Sequence, residues 1–73
     1  MIEKNARQIS IGDRIFLNQT TVFIVEELKP SPLTGFGAPI LVGTYQGGPL
    51  DGQKANIDLG SNPKLTDHTF TIV

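Results

Sequence analysis

Between Thr20 and Leu28 the chain reads Thr-Thr-Val-Phe-Ile-Val-Glu-Glu-Leu, and the four consecutive apolar residues inside it, Val22 to Val25, constrain the fold more than any other stretch. Each of the four is β-branched or aromatic and favours a pleated strand. A run this short, opened by two threonines and closed by Pro30, is a strand with both faces at least partly covered. Such a strand needs neighbours on each side. The apolar segments before and after it, bounded by Gly, Pro or Asn, are the candidates.

Upstream, Ile9 to Leu17 alternates as a strand interrupted at Gly12-Asp13, where a glycine open to positive φ and a backbone-bonding aspartate mark a turn or bulge. Beyond the turn, Ile15 and Leu17 share one face, Arg14 and Phe16 the other. Asn18-Gln19 gives hairpin spacing, either as a two-residue turn or as a longer loop that takes in Thr20. Downstream, Pro39 to Gln46 puts Ile40, Val42 and Thr44 on one face and Leu41, Gly43 and Tyr45 on the other. Gly43 marks a sharp bend or a close approach of a bulky neighbour. Ala55 to Leu59 alternates apolar and polar, and Asp67 to Val73 is a β-branched final strand with His68, Phe70 and Ile72 on one face. The tally is five strands, which at this length predicts an all-β, five-stranded small barrel. Residues 1–8 are a polar lead, read either as a short helical turn across the barrel mouth or as a tail. Residues 9–73 form the barrel of a single domain.

A chain of 73 residues has room for one core, and at that size folding hides only about 60% of the surface that the unfolded chain exposes. With no cysteine, neither disulfides nor thiolate metal sites add support, and the single histidine makes a zinc staple a poor expectation. Extra burial then comes from self-association, so a homo-oligomer is expected. Six Lys and Arg against seven Asp and Glu give a formal net charge of −1, unlike the basic footprint of a dedicated nucleic-acid module. No apolar run has the length of a membrane span, and the opening Met-Ile-Glu-Lys-Asn lacks the order of a signal peptide. A soluble protein of the cytosol or of an assembled particle is expected.

This order, a polar lead, then Ile11-Gly12-Asp13-Arg14-Ile15, a long strand from Thr20 to Leu28 and three more strands, resembles the SH3-like small barrels and, among them, the Sm-like branch. The resemblance implies strongly bent strands, a short N-terminal helix and ring formation through edge-strand pairing. RNA-binding members of that branch carry an Asp followed by an Asn in one loop and a basic residue before a late Gly. Thr44-Tyr45-Gln46-Gly47-Gly48 and Asn62-Pro63-Lys64 carry neither, so no RNA-binding residue transfers.

The chemistry-bearing residues favour plain readings. His68 beside Asp67 has no partner group or pocket signalled by the sequence and reads as a packed or rim histidine. Asp51, Asp58 and Asp67 match no calcium loop. Gly35-Phe36-Gly37 and Gly47-Gly48 precede no helix that would hold a phosphate. Glu26 and Glu27, pointing to opposite faces, blunt an edge. No catalytic residue, cofactor or metal is assigned, and the chain is not expected to be an enzyme. The ten-residue loop Lys29 to Ala38 is long for so small a domain, and Leu33 and Phe36 at its tip are the first candidates for contact with another subunit or partner. The leading expectation is therefore a self-associating β-barrel module for assembly or partner binding; its Thr, Gly and Ile content suits a phage-type structural or accessory protein. The alternative is an Sm-like RNA or DNA binder using Arg14, Lys29, Lys54 and Lys64, with Tyr45 and Phe36 as stacking surfaces.

Overall fold

The computed structural model describes residues 2–31 and 37–73. They form one antiparallel sheet of six strands, β1 (Ile2–Asn5), β2 (Arg14–Asn18), β3 (Thr21–Pro30), β4 (Pro39–Gln46), β5 (Lys54–Asp58) and β6 (Thr69–Ile72), in the spatial order β1-β6-β2-β3-β4-β5. A 3-10 turn, Ala6–Gln8, follows β1, and one turn of helix, α1 (Pro63–Thr66), precedes β6. The chain is a small β fold with almost no helix.

The apolar run lies on β3, at the centre of the sheet between β2 and β4. Its pleat sends Thr21, Phe23 and Val25 inward, where all three are buried, and leaves Val22 and Ile24 half-buried on the outer face. Phe23 is fully buried and packs with Ile15, Val25, Leu41, Leu59 and Ile72, and Ala6 and Ile9 close the core from the N-terminal side. Tyr45 meets the Phe23 ring edge-on at 5.2 Å. Removing the Phe23 ring would cost about 3–5 kcal/mol, as for other fully buried aromatics.

Among the described residues no second layer covers the outer face. Instead Arg14 Nη2 donates to Gln46 Oε1 at 2.8 Å, and since Arg14 stands opposite Ile24 and Gln46 opposite Val22, this bond crosses β3 between those two aliphatic side chains. On the same face Thr44 Oγ1, from β4, donates to Glu26 Oε1 on β3 at 3.0 Å. Long polar side chains thus shield the second face of the run. Gly43 is where a bulky neighbour closes in: a Cβ there would lie 2.0 Å from the Ile24 carbonyl oxygen and 2.9 Å from the Phe23 ring.

Several elements differ from the sequence expectation. Among the described residues there are six strands, not five, because the polar lead contains β1. Its alternation, Ile-Glu-Lys-Asn, has one apolar residue, and it forms a strand because β6 offers it a ladder, with Ile2 opposite Ile72 and Lys4 opposite Phe70. The helical half of the lead is the turn Ala6–Gln8, fixed by a reciprocal cap: Asn5 Oδ1 accepts from Arg7 N–H and Gln8 Oε1 accepts from Asn5 N–H. The segment before Arg14 is not strand. Asp13 N–H donates to the Ser10 carbonyl and Gly12 adopts φ +94°, so Ile9 enters the core while Ile11 stays exposed. β3 continues to Pro30, through a bulge between Val25 and Glu27, which takes two residues from the expected loop. Helix α1 begins with Asn62 as N-cap and Pro63 in the first turn, a start signal that reads equally well as the end of the preceding strand.

Candidate functional site

An open sheet exposes backbone donors and acceptors along its edges. Besides the short gap where β2 and β6 part beyond their Ile15–Ile72 bridge, three such edges occur among the described residues, and they are finished differently.

At one end, β1 is bordered only by β6. The Val73 N–H donates to the Arg14 carbonyl, so by antiparallel alternation Ile72 and Phe70 turn their backbone groups toward β1, and Ile2 and Lys4 answer them. Glu3 and Asn5 face outward, but the Asn5 N–H is already held by Gln8 at 3.0 Å. The strand is also pinned by its side chain: Lys4 Nζ lies 2.8 Å from Asp13 Oδ2, which accepts the Ser10 N–H as well. Burial opposes ionisation of Asp13, but the hydrogen bonds from Lys4 and Ser10 and the Lys4 charge outweigh it and hold the carboxyl below its ordinary range.

The second edge is the outer half of β3. Its pairing with β2 begins at Arg14 opposite Ile24 and ends with the Gly12 and Asp13 bonds to Val25, so Glu26 to Pro30 have β4 on one side only. The bulge puts Glu26 against Thr44 and Glu27 opposite Val42, which brings both carboxylates to the outer face and not to opposite faces. A bulge, two like charges and a proline without an N–H are devices that discourage strand addition.

The third edge is β5, five residues bordered by β4 and by no other strand. Tyr45 N–H donates to the Gln53 carbonyl and Leu59 N–H to the Pro39 carbonyl, which fixes the alternation between them. Ala55 and Ile57 turn their backbone groups toward β4. Lys54, Asn56 and Asp58 turn theirs away from it. The side chains of those three lie on the outer face, opposite Thr44, Val42 and Ile40, while Ala55 and Ile57 sit half-buried against the core. Lys54 and Asn56 make no side-chain hydrogen bond or ion pair among the described residues. Asp58 ends the strand: its Oδ1 accepts from Gly60 N–H at 3.0 Å and from Ser61 N–H at 3.1 Å. The Ser31 hydroxyl faces this carboxylate without completing a hydrogen bond of normal geometry. Burial again works against the charge, and these surrounding donors outweigh it, so the Asp58 carboxyl titrates below its usual range.

Leu33 and Phe36, expected to make the partner contact, lie outside the described residues. The residues flanking them, Leu28 to Ser31 and Gly37 to Pro39, line a shallow cleft of about 360 Å³. Of the expected nucleic-acid residues, Arg14 and Lys54 occur on one row of the outer face, separated by Ile24 and Thr44. Tyr45 is on the opposite face, against Phe23, where no base can stack beside those cations. Lys29 lies further along β3 opposite Ile40, Glu26 occupies the ground between, and Lys64 is on α1, off the sheet. His68 is exposed and meets Phe70 edge-on at 4.8 Å. Among the described residues no group of three or more His, Asp or Glu is placed to hold a metal ion, and no helix is long and apolar enough to cross a membrane. The openness of β5 was missed in the sequence because an alternating strand reads the same in the middle of a sheet and at its rim. The charges at its two ends, Lys54 and Asp58, were the available signal.

No protein-family model matches the chain, and neither a curated protein nor a solved structure is significantly similar to it.

Proposed function

We propose that this protein is a non-enzymatic, self-associating β module that acts in assembly or partner binding, with its five later strands arranged as a small SH3-like barrel of the Sm-like kind. The barrel reading is supported by the order β6-β2-β3-β4-β5, in which the last strand lies beside the first of the five. The β3 bulge and the crowded glycine at position 43 are further support, being devices that bend a sheet toward closure.

The observation that carries self-association is the outer side of β5. Along five residues of regular strand, Lys54, Asn56 and Asp58 present unpaired backbone groups, and the half-buried Ala55 and Ile57 leave the core incompletely covered at that rim. In a chain this small, a second copy supplies burial that the monomer lacks. Assembly is preferred over nucleic-acid binding because, among the described residues, only Arg14 and Lys54 of the four expected cations share a row, and Tyr45 lies on the opposite face of the sheet.

Light scattering coupled to size exclusion, run from micromolar to millimolar protein, should show the average mass rising above that of the monomer. A constant monomer mass across that range contradicts the proposal.

A further inference from the structure

We propose that β5 pairs with β5 of a second copy, antiparallel about a two-fold axis through Asn56, so that Lys54 of each chain stands opposite Asp58 of the other. The inference deepens the self-association reading, on which it rests, by naming the surface and the register.

The sequence of the strand is Lys54-Ala55-Asn56-Ile57-Asp58. In a two-fold antiparallel pair, residues facing each other have position numbers that add to a constant. Hydrogen-bond alternation limits that constant. Only Lys54, Asn56 and Asp58 turn their backbone groups outward, so only registers that match even positions with even positions complete a ladder. Three such registers bring the strands together near their middles: one centred on Ala55, one on Asn56 and one on Ile57. The first and last pair only part of the strand. The register centred on Asn56 pairs all five residues, and every outward N–H and carbonyl of the strand meets its complement.

The side chains agree with that register. Lys54 meets Asp58 at both ends of the paired segment, opposite charges placed directly across the ladder. Asp58 uses Oδ1 for its bonds to Gly60 and Ser61, and neither of those bonds takes Oδ2. Lys54 has no ion-pair partner within its own chain among the described residues. Asn56 faces Asn56 across the axis. On the inner face Ala55 meets Ile57, a small residue against a large one, and the half-buried aliphatic row of one core continues into the next. The other edges offer no equal alternative: β1 exposes a single free residue, Glu3, the outer half of β3 ends in Glu26, Glu27 and Pro30, and β2 has only its last residues beyond the Ile15–Ile72 bridge to β6. A five-residue strand pair is a small interface, so the dimer forms and dissociates with concentration and is not permanent.

The chain contains no cysteine, which makes a cross-linking test clean. Facing residues of a hydrogen-bonded antiparallel pair have Cα atoms roughly 5.5 Å apart, inside the range a disulfide spans. Under mild oxidation Asn56→Cys should therefore form a covalent dimer readily. Lys54→Cys, whose two copies stand four positions out of register, should not. A charge test is independent. Lys54→Glu alone and Asp58→Lys alone each place like charges opposite one another and should be monomeric, whereas a mixture of the two variants should form a heterodimer. Equal cross-linking of the two cysteine variants, or an assembly of the wild-type chain indifferent to Lys54→Glu, overturns the β5 register while leaving self-association standing. A wild-type chain that is monomeric at every concentration overturns both.

Discussion

The two ends of this sheet are strands of similar length with different finishes. β1 buries little of its own surface, with Ile2 61% exposed, yet its end is closed by chemistry within the chain: the Lys4–Asp13 pair, the Gln8 bond to the Asn5 N–H and a capped turn anchored by the buried Ala6. β5 buries more against the core, yet its outer side is left as regular, unbulged strand. Burial and edge protection are thus separate properties. A strand can be nearly all surface and still closed to addition, or well packed and still open to it.

The comparison can be broken most forcefully from inside the β5 end. Gly43 stands opposite both Val25 and Ala55, and any Cβ there collides with the Ile24 carbonyl and the Phe23 ring. Gly43→Ala should cost about 3 kcal/mol in urea unfolding, at the upper end for an overpacked core, because the nearest obstacle is backbone. It should also lower assembly by disordering β5.

A smaller effect belongs to the β1 end. Asp13→Ala removes the partly buried Lys4 partner and the acceptor for Ser10 N–H, for a loss of about 1 kcal/mol at neutral pH with assembly unchanged. Because the folded carboxyl titrates below its ordinary value, its contribution is present above the unfolded pKa, near 3.9, and is lost as pH falls through the folded value. The wild type should therefore lose stability on acidification below about pH 4, and Asp13→Ala should lose less over the same interval. Some acid sensitivity should remain in the variant, since Asp58 is shifted in the same direction. Equal acid profiles by thermal melts at each pH would remove the ion pair from the account of β1.

The smallest effect on folding comes with the largest on assembly. The Asn56 N–H points away from β4, so Asn56→Pro removes no bond of the β4–β5 ladder and should leave monomer stability within about 0.5 kcal/mol. The same change deletes the donor at the centre of the proposed pairing, and scattering should report a monomer. A marked loss of stability would mean that the alternation along β5 is misplaced.

Much of this fold was legible in the residues. The run Val22 to Val25 announced a central strand because four strand-favouring side chains leave no amphipathic helix to draw, and Gly43, a glycine inside an apolar alternation, announced either a sharp bend or a close approach, of which the Ile24 carbonyl and the Phe23 ring make the second. β1 was illegible for the opposite reason: one isoleucine among Glu, Lys and Asn has no pattern of its own, and the strand exists only because β6 presents a ladder. Asn62-Pro63 carried a helix-start signal, but Asn-Pro also ends strands, and local chemistry does not choose between them. The candidate edge was half legible. The alternation from Ala55 to Leu59 gave the strand, while its place at the rim follows from pairings as distant as Ile40 with Asp58, which no local pattern encodes.

Hydrogen exchange resolved to single amides, followed across protein concentration, tests the edge directly. At low concentration the amides of Ala55 and Ile57, bonded to β4, should exchange slowly, and those of Lys54, Asn56 and Asp58 should exchange fast. As concentration rises, the three fast amides should gain protection together while the other two stay as they were. Outward amides that remain fast in an assembled sample, or protection that appears instead along β1, would contradict the account.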